Sequence, residues 1–192
     1  MEILVTGGAG FIGSHLIENL LDEGHRVVNL DCFNDYYDPA IKERNIEKAQ
    51  QSSHYEVVRA DILEYDRLQK LFDEHTFDLI VHLAARAGVR PSIQQPLLYE
   101  QVNVQGTMNL LEMCRIHKIK KFVVASSSSV YGANKKVPFA ESDSVDNPIS
   151  PYAATKKACE LLCYNYYHLY GINTFALKFF TVYVPRQRPE IA

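Results

Sequence analysis

Short apolar runs alternate along this chain with segments whose apolar residues recur every three to four positions. Runs near residues 2 to 6, 26 to 30, 55 to 58, 78 to 83, 121 to 126 and 173 to 179 are bounded by turn residues. That is the pattern of strands buried on both faces. The intervals read as amphipathic helices: Ile12, Leu16 and Leu20 share one stripe, Val104, Met108 and Leu111 a second, and Ala158, Leu162, Tyr166 and Leu169 a third. The second stripe belongs to a longer helix, and the third to a helix over residues 151 to 170. Strand and helix alternate, so the fold class expected is α/β, a doubly wound parallel sheet with helices on both faces and right-handed crossovers. Segments 32 to 40 and 132 to 151, rich in Asn, Asp, Ser and Pro, read as long loops beyond the carboxyl ends of strands, where such sheets bind ligands.

Composition narrows the functional classes. With 192 residues and 47% hydrophobic content, the chain can bury the core of one domain and the beginning of another. A net charge of -3 with interspersed signs leaves no basic stripe for nucleic acid. No apolar run has membrane-spanning length, so no membrane partner is expected. Residues Met1 to Val5 lead straight into a glycine loop without the pattern of a signal peptide. Cys32, Cys114, Cys159 and Cys163 lack metal-ligand spacing and read as reduced thiols of a cytoplasmic protein. The seven histidines contain no His-x-x-x-His pair, and no metal is expected.

Chemistry enters with the turn Thr6-Gly-Gly-Ala-Gly-Phe-Ile-Gly13. Gly7, Gly10 and Gly13, with Phe11 and Ile12 between them, follow a short apolar strand and open a helix, the setting in which glycines mean dinucleotide binding. Glycines allow the backbone to approach a diphosphate, and the helix N-terminus offers free amides to it. Asp31 ends the second strand at the distance expected of a ribose-binding acid. Its carboxylate would repel a 2′-phosphate and no Arg or Lys follows it closely, which favours NAD over NADP. Asp61 and Ile62 are placed to flank the adenine, although an Asp there is equally a helix cap. Leu83, Ala84 and Ala85 would let the backbone approach the cofactor, or simply pack a strand end.

Downstream lies Tyr152-Ala-Ala-Thr-Lys156. Residues four apart share a helical face, so the Lys156 ammonium can reach the phenol region of Tyr152. A fixed cation there favours the phenolate, which makes Tyr152 a candidate general base.

Together these residues resemble the extended short-chain dehydrogenase/reductase family, and within it the nucleotide-sugar epimerases. The elements carrying the resemblance are the glycine turn, His82-Leu-Ala-Ala85, Asn103-Val-Gln-Gly-Thr107, Ser126 to Gly132, Tyr152-x-x-x-Lys156 and Phe179-Phe-Thr-Val-Tyr183. The resemblance implies a Rossmann-type NAD-binding domain over residues 1 to 180, with residues 181 to 192 beginning a substrate-binding region whose larger part is missing. It implies a catalytic triad of Ser127, Tyr152 and Lys156, with Tyr152, Lys156 and Asn103 also at the cofactor. Substrate contacts fall to Ser127 and Ser128. Asn34 to Pro39, Ala87 to Pro91 and Pro185 to Pro189 look like the UDP-glucuronate 4-epimerase branch, where Arg188 would pair with a uronate carboxylate and Thr181 contribute a hydroxyl. The implied activity inverts C4 of a UDP-sugar through a 4-keto intermediate, with NAD retained between turnovers. The alternatives are a UDP-glucose 4-epimerase, a nucleotide-sugar 4,6-dehydratase, and a catalytically impaired NAD-binding fragment. Dehydratases of the family typically carry an Asp-Glu pair where Ser128 and Ser129 stand here. Val184 stands where the family usually has Gly, a strained choice if that backbone position has positive φ. A homodimer is expected through the helices over 94 to 117 and 151 to 170, using Leu110, Leu111, Leu161 and Leu162.

Overall fold

The computed structural model describes residues 1–187. Six strands form one parallel sheet: β1 (Glu2–Thr6), β2 (Arg26–Asp31), β3 (Tyr55–Arg59), β4 (Leu79–His82), β5 (Lys121–Ser127) and β6 (Asn173–Phe179), in the order β3-β2-β1-β4-β5-β6. The strand order reverses between β1 and β4, and this opens a crevice at their carboxyl ends. Among the described residues seven α-helices cover the sheet: α1 (Phe11–Asp22), α2 (Pro39–Ile46), α3 (Tyr65–Glu74), α4 (Val89–Gln94), α5 (Pro96–Tyr99), α6 (Gly106–Ile116) and α7 (Pro151–Tyr170). The doubly wound parallel sheet expected from the alternating pattern is therefore present.

Alternation along β1 divides the core. Ile3 and Val5 pack in one cluster with Ile17 of α1 and Val27, while Leu4 joins a larger one with Leu68, Phe72, Leu110, Leu111, Phe122 and Cys163. Both faces of the strand are thus dry, which is why its sequence is apolar without alternation. Among the described residues no helix is long and apolar enough to cross a membrane.

Four expectations need correction. The helix expected over 94 to 117 is broken: Pro96 begins α5, and Glu100–Gln105 forms a π-helical turn before α6. At this turn the carbonyl of Asn103 accepts from the Gly106 amide and also from the Thr107 hydroxyl and the Cys159 thiol. On α7 the buried stripe is Cys159, Cys163 and Tyr166, one position later than expected at its start, and Leu169 is exposed. Leu110 and Leu111 lie wholly inside the molecule and cannot serve a dimer contact, whereas Leu161 is exposed. A further helix, α2, occupies the end of the loop expected over 32 to 40. It starts with Asp38, whose carboxylate accepts from the Ala40 amide, and Pro39 at its first position.

One buried polar chain joins the strand ends to the helices. The Ala84 amide donates to Thr6 Oγ1, which lies 2.7 Å from His82 Nδ1. His82 Nε2 lies 3.0 Å from Thr107 Oγ1, and that hydroxyl already donates to Asn103 O. Thr107 has a single proton to give, so His82 donates from Nε2 and accepts at Nδ1. Burial, reinforced by the Lys156 ammonium, pulls the imidazole down from its ordinary value to about 3.

The folded state therefore excludes a proton that the unfolded chain takes up below its ordinary histidine value of about 6.5. The stability held by neutral His82 is complete above that value and is lost as pH falls toward about 3. Urea denaturation should show the wild type losing about 2 kcal/mol from this source between pH 7 and pH 5. A His82→Gln variant should lack that component, and equal pH slopes in the two proteins would contradict the assignment.

Candidate functional site

The glycine turn sits at the mouth of the crevice. Gly7 adopts φ +71° and donates its amide to Leu30 O at 2.8 Å. A Cβ there would stand 2.7 Å from the Ala84 backbone nitrogen, and one on Gly13 would strike the Gly7 carbonyl oxygen. Only glycine fits either position, so the turn lies flat against the end of β4 and the start of α1. The first turn of α1 has no side-chain cap, which leaves its amides free toward the cavity.

A cavity of about 320 Å³ opens above this turn. Its walls include Gly7, Gly10, Phe11, Ile12, Gly13, Asp31, Asp61, Ile62, Leu83, Ala84 and Ala85. These residues, expected from the sequence to bind a cofactor, are brought together from the ends of four strands, whereas Asn103, Tyr152 and Lys156, expected with them, do not line the cavity. The site is built mostly of backbone and apolar side chains with few charges, which suits a long, partly apolar ligand with a diphosphate centre.

Asp31 is 4% exposed and already accepts three bonds: from the Ala9 amide at 3.2 Å, the Phe33 amide at 2.9 Å and the Lys42 ammonium at 3.3 Å. Lys42 is a cation beside Asp31 that the chain order hides, because it is delivered from α2 eleven positions later. The same helix sends Asn45 Nδ2 to Ala9 O at 3.0 Å. Asp38-Pro39, an N-cap followed by a first-turn proline, was the sequence signal for this helix. Asp61 accepts from the Leu63 amide, so it serves both as a turn residue and as part of the cavity wall.

Asn103 stands behind the wall. Its side chain accepts from the Arg86 amide at 2.8 Å and donates to Arg86 O and Thr155 Oγ1 at 3.1 and 3.0 Å. Its work is to fix the strand-end segment 84 to 87 against α7.

Beyond Ala125, the last cavity residue on β5, lie Ser127, Tyr152 and Lys156. Lys156 is 5% exposed, and its ammonium donates to Ala125 O at 2.7 Å while standing 6.0 Å from the centre of the Tyr152 ring. Tyr152 occupies the first turn of α7, which Ser150 caps through the Ala153 amide at 3.1 Å. Tyr99 packs edge-on against the Tyr152 ring at 6.2 Å. Ser127 ends β5 and accepts from the Ser129 amide at 3.2 Å, so its hydroxyl caps a short turn over Ser128–Tyr131. Ser128 is half-buried beside it.

Thr181 is exposed beyond the end of β6, whose Phe179 pairs with Ser127. Arg188 lies outside the described residues. Val184 is not among the residues with positive φ, which removes the strain expected of it; the left-handed position is Arg186, at φ +71°. Its guanidinium pairs with Glu18 of α1 at 2.6 Å, and Pro185 O lies 2.9 Å from His15 Nε2.

The sequence profile of the GDP-mannose 4,6 dehydratase family matches residues 4–192. A UDP-glucuronate 4-epimerase of Thermodesulfobacterium geofontis is 44% identical over 98% of this chain, and the chain spans 58% of that protein. Among solved structures, the UDP-glucuronic acid 4-epimerase of Bacillus cereus in complex with UDP-glucuronic acid and NAD superposes with a TM-score of 0.90 at 42% identity, covering 99% of this chain and 60% of that one. The UDP-glucose 4-epimerase of Thermotoga maritima with UDP-glucose gives 0.89 at 32%, covering 98% and 58%.

Replacing Lys42 by Met should leave the Asp31 carboxylate buried with two amide donors and no cation. A loss of about 3 kcal/mol in urea denaturation is expected. Wild-type stability in that variant would show that the backbone amides alone hold the charge.

Proposed function

We propose that this chain, which belongs to the GDP-mannose 4,6 dehydratase family, is the NAD-binding part of a UDP-glucuronate 4-epimerase. The observation that carries the reading is the placement of Lys156 and Tyr152 at the end of a glycine-turn cavity, with the ammonium between the cavity wall at Ala125 and the phenol ring. Likeness to relatives described as UDP-glucuronate 4-epimerases supports the substrate.

NAD, when bound, supplies an acceptor for the sugar C4 hydride and returns it later. The proton is the protein's task. Tyr152 takes it from the C4 hydroxyl as the hydride leaves, and the buried Lys156 charge stabilises the phenolate that results. Ser127 hydrogen-bonds the same oxygen as it becomes a carbonyl. Once the 4-keto sugar had presented its other face, Tyr152 would give the proton back to the same oxygen, so the stereocentre would be inverted with no net redox change. Gly7, Gly10 and Gly13 receive the diphosphate, Asp31 the adenosine ribose, and Asp61 and Ile62 flank the adenine. Thr181 and Arg188 are assigned to the uronate carboxylate.

Epimerisation is favoured over 4,6-elimination by Ser128 and Ser129. Elimination needs acid and base groups for protons at the neighbouring carbons, and these positions offer hydroxyls. A homodimer belongs to the same reading, with Leu161 and the exposed Tyr164 and Tyr167 of α7 as its apolar contact.

Purified protein incubated separately with UDP-glucuronate and UDP-glucose should carry NAD and convert the first to UDP-galacturonate while leaving the second unchanged. Tyr152→Phe should lower turnover by roughly 10²–10⁴-fold with NAD binding retained. Conversion of UDP-glucose in preference would overturn the substrate; failure to bind NAD would overturn the cofactor; full turnover in Tyr152→Phe would overturn the base.

A further inference from the structure

Helix α7 brings a third polar side chain down on the strands beside Tyr152 and Lys156. Tyr152, Lys156 and Glu160 succeed one another at intervals of four, so they lie close to one line along the helix. Lys156 reaches Ala125 O on β5, and Glu160 takes the hydroxyl of the next residue, Ser126, at 2.5 Å. Ser127 follows. Three consecutive positions of β5 thus carry a carbonyl bound to Lys156, a hydroxyl bound to Glu160 and the hydroxyl assigned to the sugar.

The knot at Glu160 also takes in β6. Ser126 and Lys178 are register partners in the two strands, which sets their side chains next to each other on one face of the sheet. Lys178 Nζ stands 3.6 Å from the same Glu160 oxygen that Ser126 meets. The Glu160 side chain is 11% exposed and Ser126 4%, so little water can replace the bond between them. Of the two contacts the Ser126 bond is the shorter and more directional, and Lys178 is partly exposed; the bond carries most of the constraint.

Directed bonds matter here because apolar packing does not fix how far a helix slides. The buried stripe of Ala153, Cys159, Cys163 and Tyr166 turns one face of α7 inward without choosing its height. Polar ties choose it. Thr155 and Cys159 are tied to Asn103 on the side of the π-helical turn, and the Cys163 carbonyl accepts from Thr174 at 3.3 Å farther along the helix. On the strand side, the tie next to Lys156 is Glu160. A shift of α7 there moves Tyr152 and Lys156 relative to Ser127, which belongs to β5 and stays with the sheet. Glu160 does not line the cofactor cavity, so its influence passes through the helix.

We propose that Glu160 is a positioning residue for proton transfer: bound to Ser126 and Lys178, it fixes the height of α7 on β5 and β6, and with it the placement of Tyr152 against Ser127. This rests on the reading of Tyr152 as the base given above.

Steady-state conversion of UDP-glucuronate by the purified protein tests this, with NADH fluorescence titrations alongside. Glu160→Ala should lower kcat by about 10- to 100-fold, the scale of a small misplacement of reacting groups. KM for the sugar nucleotide and the affinity and stoichiometry of NADH should stay near wild type. Glu160→Gln keeps an oxygen for the Ser126 hydroxyl and should lose no more than about 3-fold in kcat. Ser126→Ala, which removes that one hydroxyl, should lose about 5-fold in kcat and decides the matter if Glu160→Ala does not fold, as circular dichroism and urea midpoints would show. If the wild type inverts no UDP-glucuronate, the reading of the function fails and the positioning role with it. If the wild type turns over, and the folded Glu160→Ala and Ser126→Ala variants keep its kcat or raise KM alone, Glu160 is no positioning residue. Glu160→Gln as slow as Glu160→Ala would overturn the part assigned to the Ser126 bond.

Discussion

Backbone lying directly on backbone at the end of β1 is the contact on which the rest of the site is registered. With no room for a Cβ at Gly7 against Ala84, the turn is pressed onto the end of β4. Everything nearby then takes its position from that contact. Thr6, just before the turn, receives the Ala84 amide and meets His82, so β1 and β4 are locked at the same height. Ala9, within the turn, is held from the other side by Asp31 and Asn45. A turn fixed by both neighbouring strands keeps its amides pointed into the crevice without a ligand to order them, which reduces the entropy lost on binding.

Charges inside the domain are handled in two ways. Asp31 and Lys42, both nearly inaccessible, neutralise each other, and backbone amides complete the carboxylate's shell. Lys156 is different. It is as deeply buried, yet its contacts are a carbonyl and the face of a tyrosine ring. Glu160, one turn further along α7, could have neutralised it, but that carboxylate is taken by the Ser126 hydroxyl at 2.5 Å and by Lys178 at 3.6 Å. Among the described residues this ammonium has no counter-ion, an expensive arrangement in a dry site that the fold tolerates by supplying stability elsewhere. The charge is felt by a neighbour: it reinforces burial in keeping His82 neutral.

The parallel sheet and its strand limits were legible in the sequence because buried strands and amphipathic helices differ in period, and β1 and β6 fall where the apolar runs do. The glycine turn was legible because its residues act locally, through backbone shape. What escaped notice depends on contacts between distant residues. Lys42 is not near Asp31 in the chain, and its meaning appears once α2 folds back over the crevice. The π-helical turn at Glu100–Gln105 was not legible because apolar spacing reports which face is buried, not which carbonyl each amide reaches. Leu110 and Leu111 carry the same hydrophobicity whether they face the sheet or a partner, and tertiary packing alone decided between those. Asn103 was recognised by its motif, but its function as a brace on Arg86 rather than a wall of the cavity is a matter of where its amide points.

The reaction proposed above, which borrows a hydride and returns it, would place an unusual demand on the cofactor site. If reduced cofactor escapes in mid-cycle, the keto sugar has no way back and the protein is left without an acceptor. Release must therefore be slower than turnover, which for ordinary enzymes runs at about 1–10³ per second. Affinity alone does not guarantee this, because a site that is open to solvent can bind tightly and still exchange by parts. The Tyr36 to Ala87 bond crosses above the glycine turn, and its anchors reach further: Asn34 and Lys42 connect Tyr36 to Asp31, and Asn103 connects the segment before Ala87 to Thr155, the residue before Lys156. The loop after β2 and the first turns of α7 are thus tied together through the same few hydrogen bonds across the cavity.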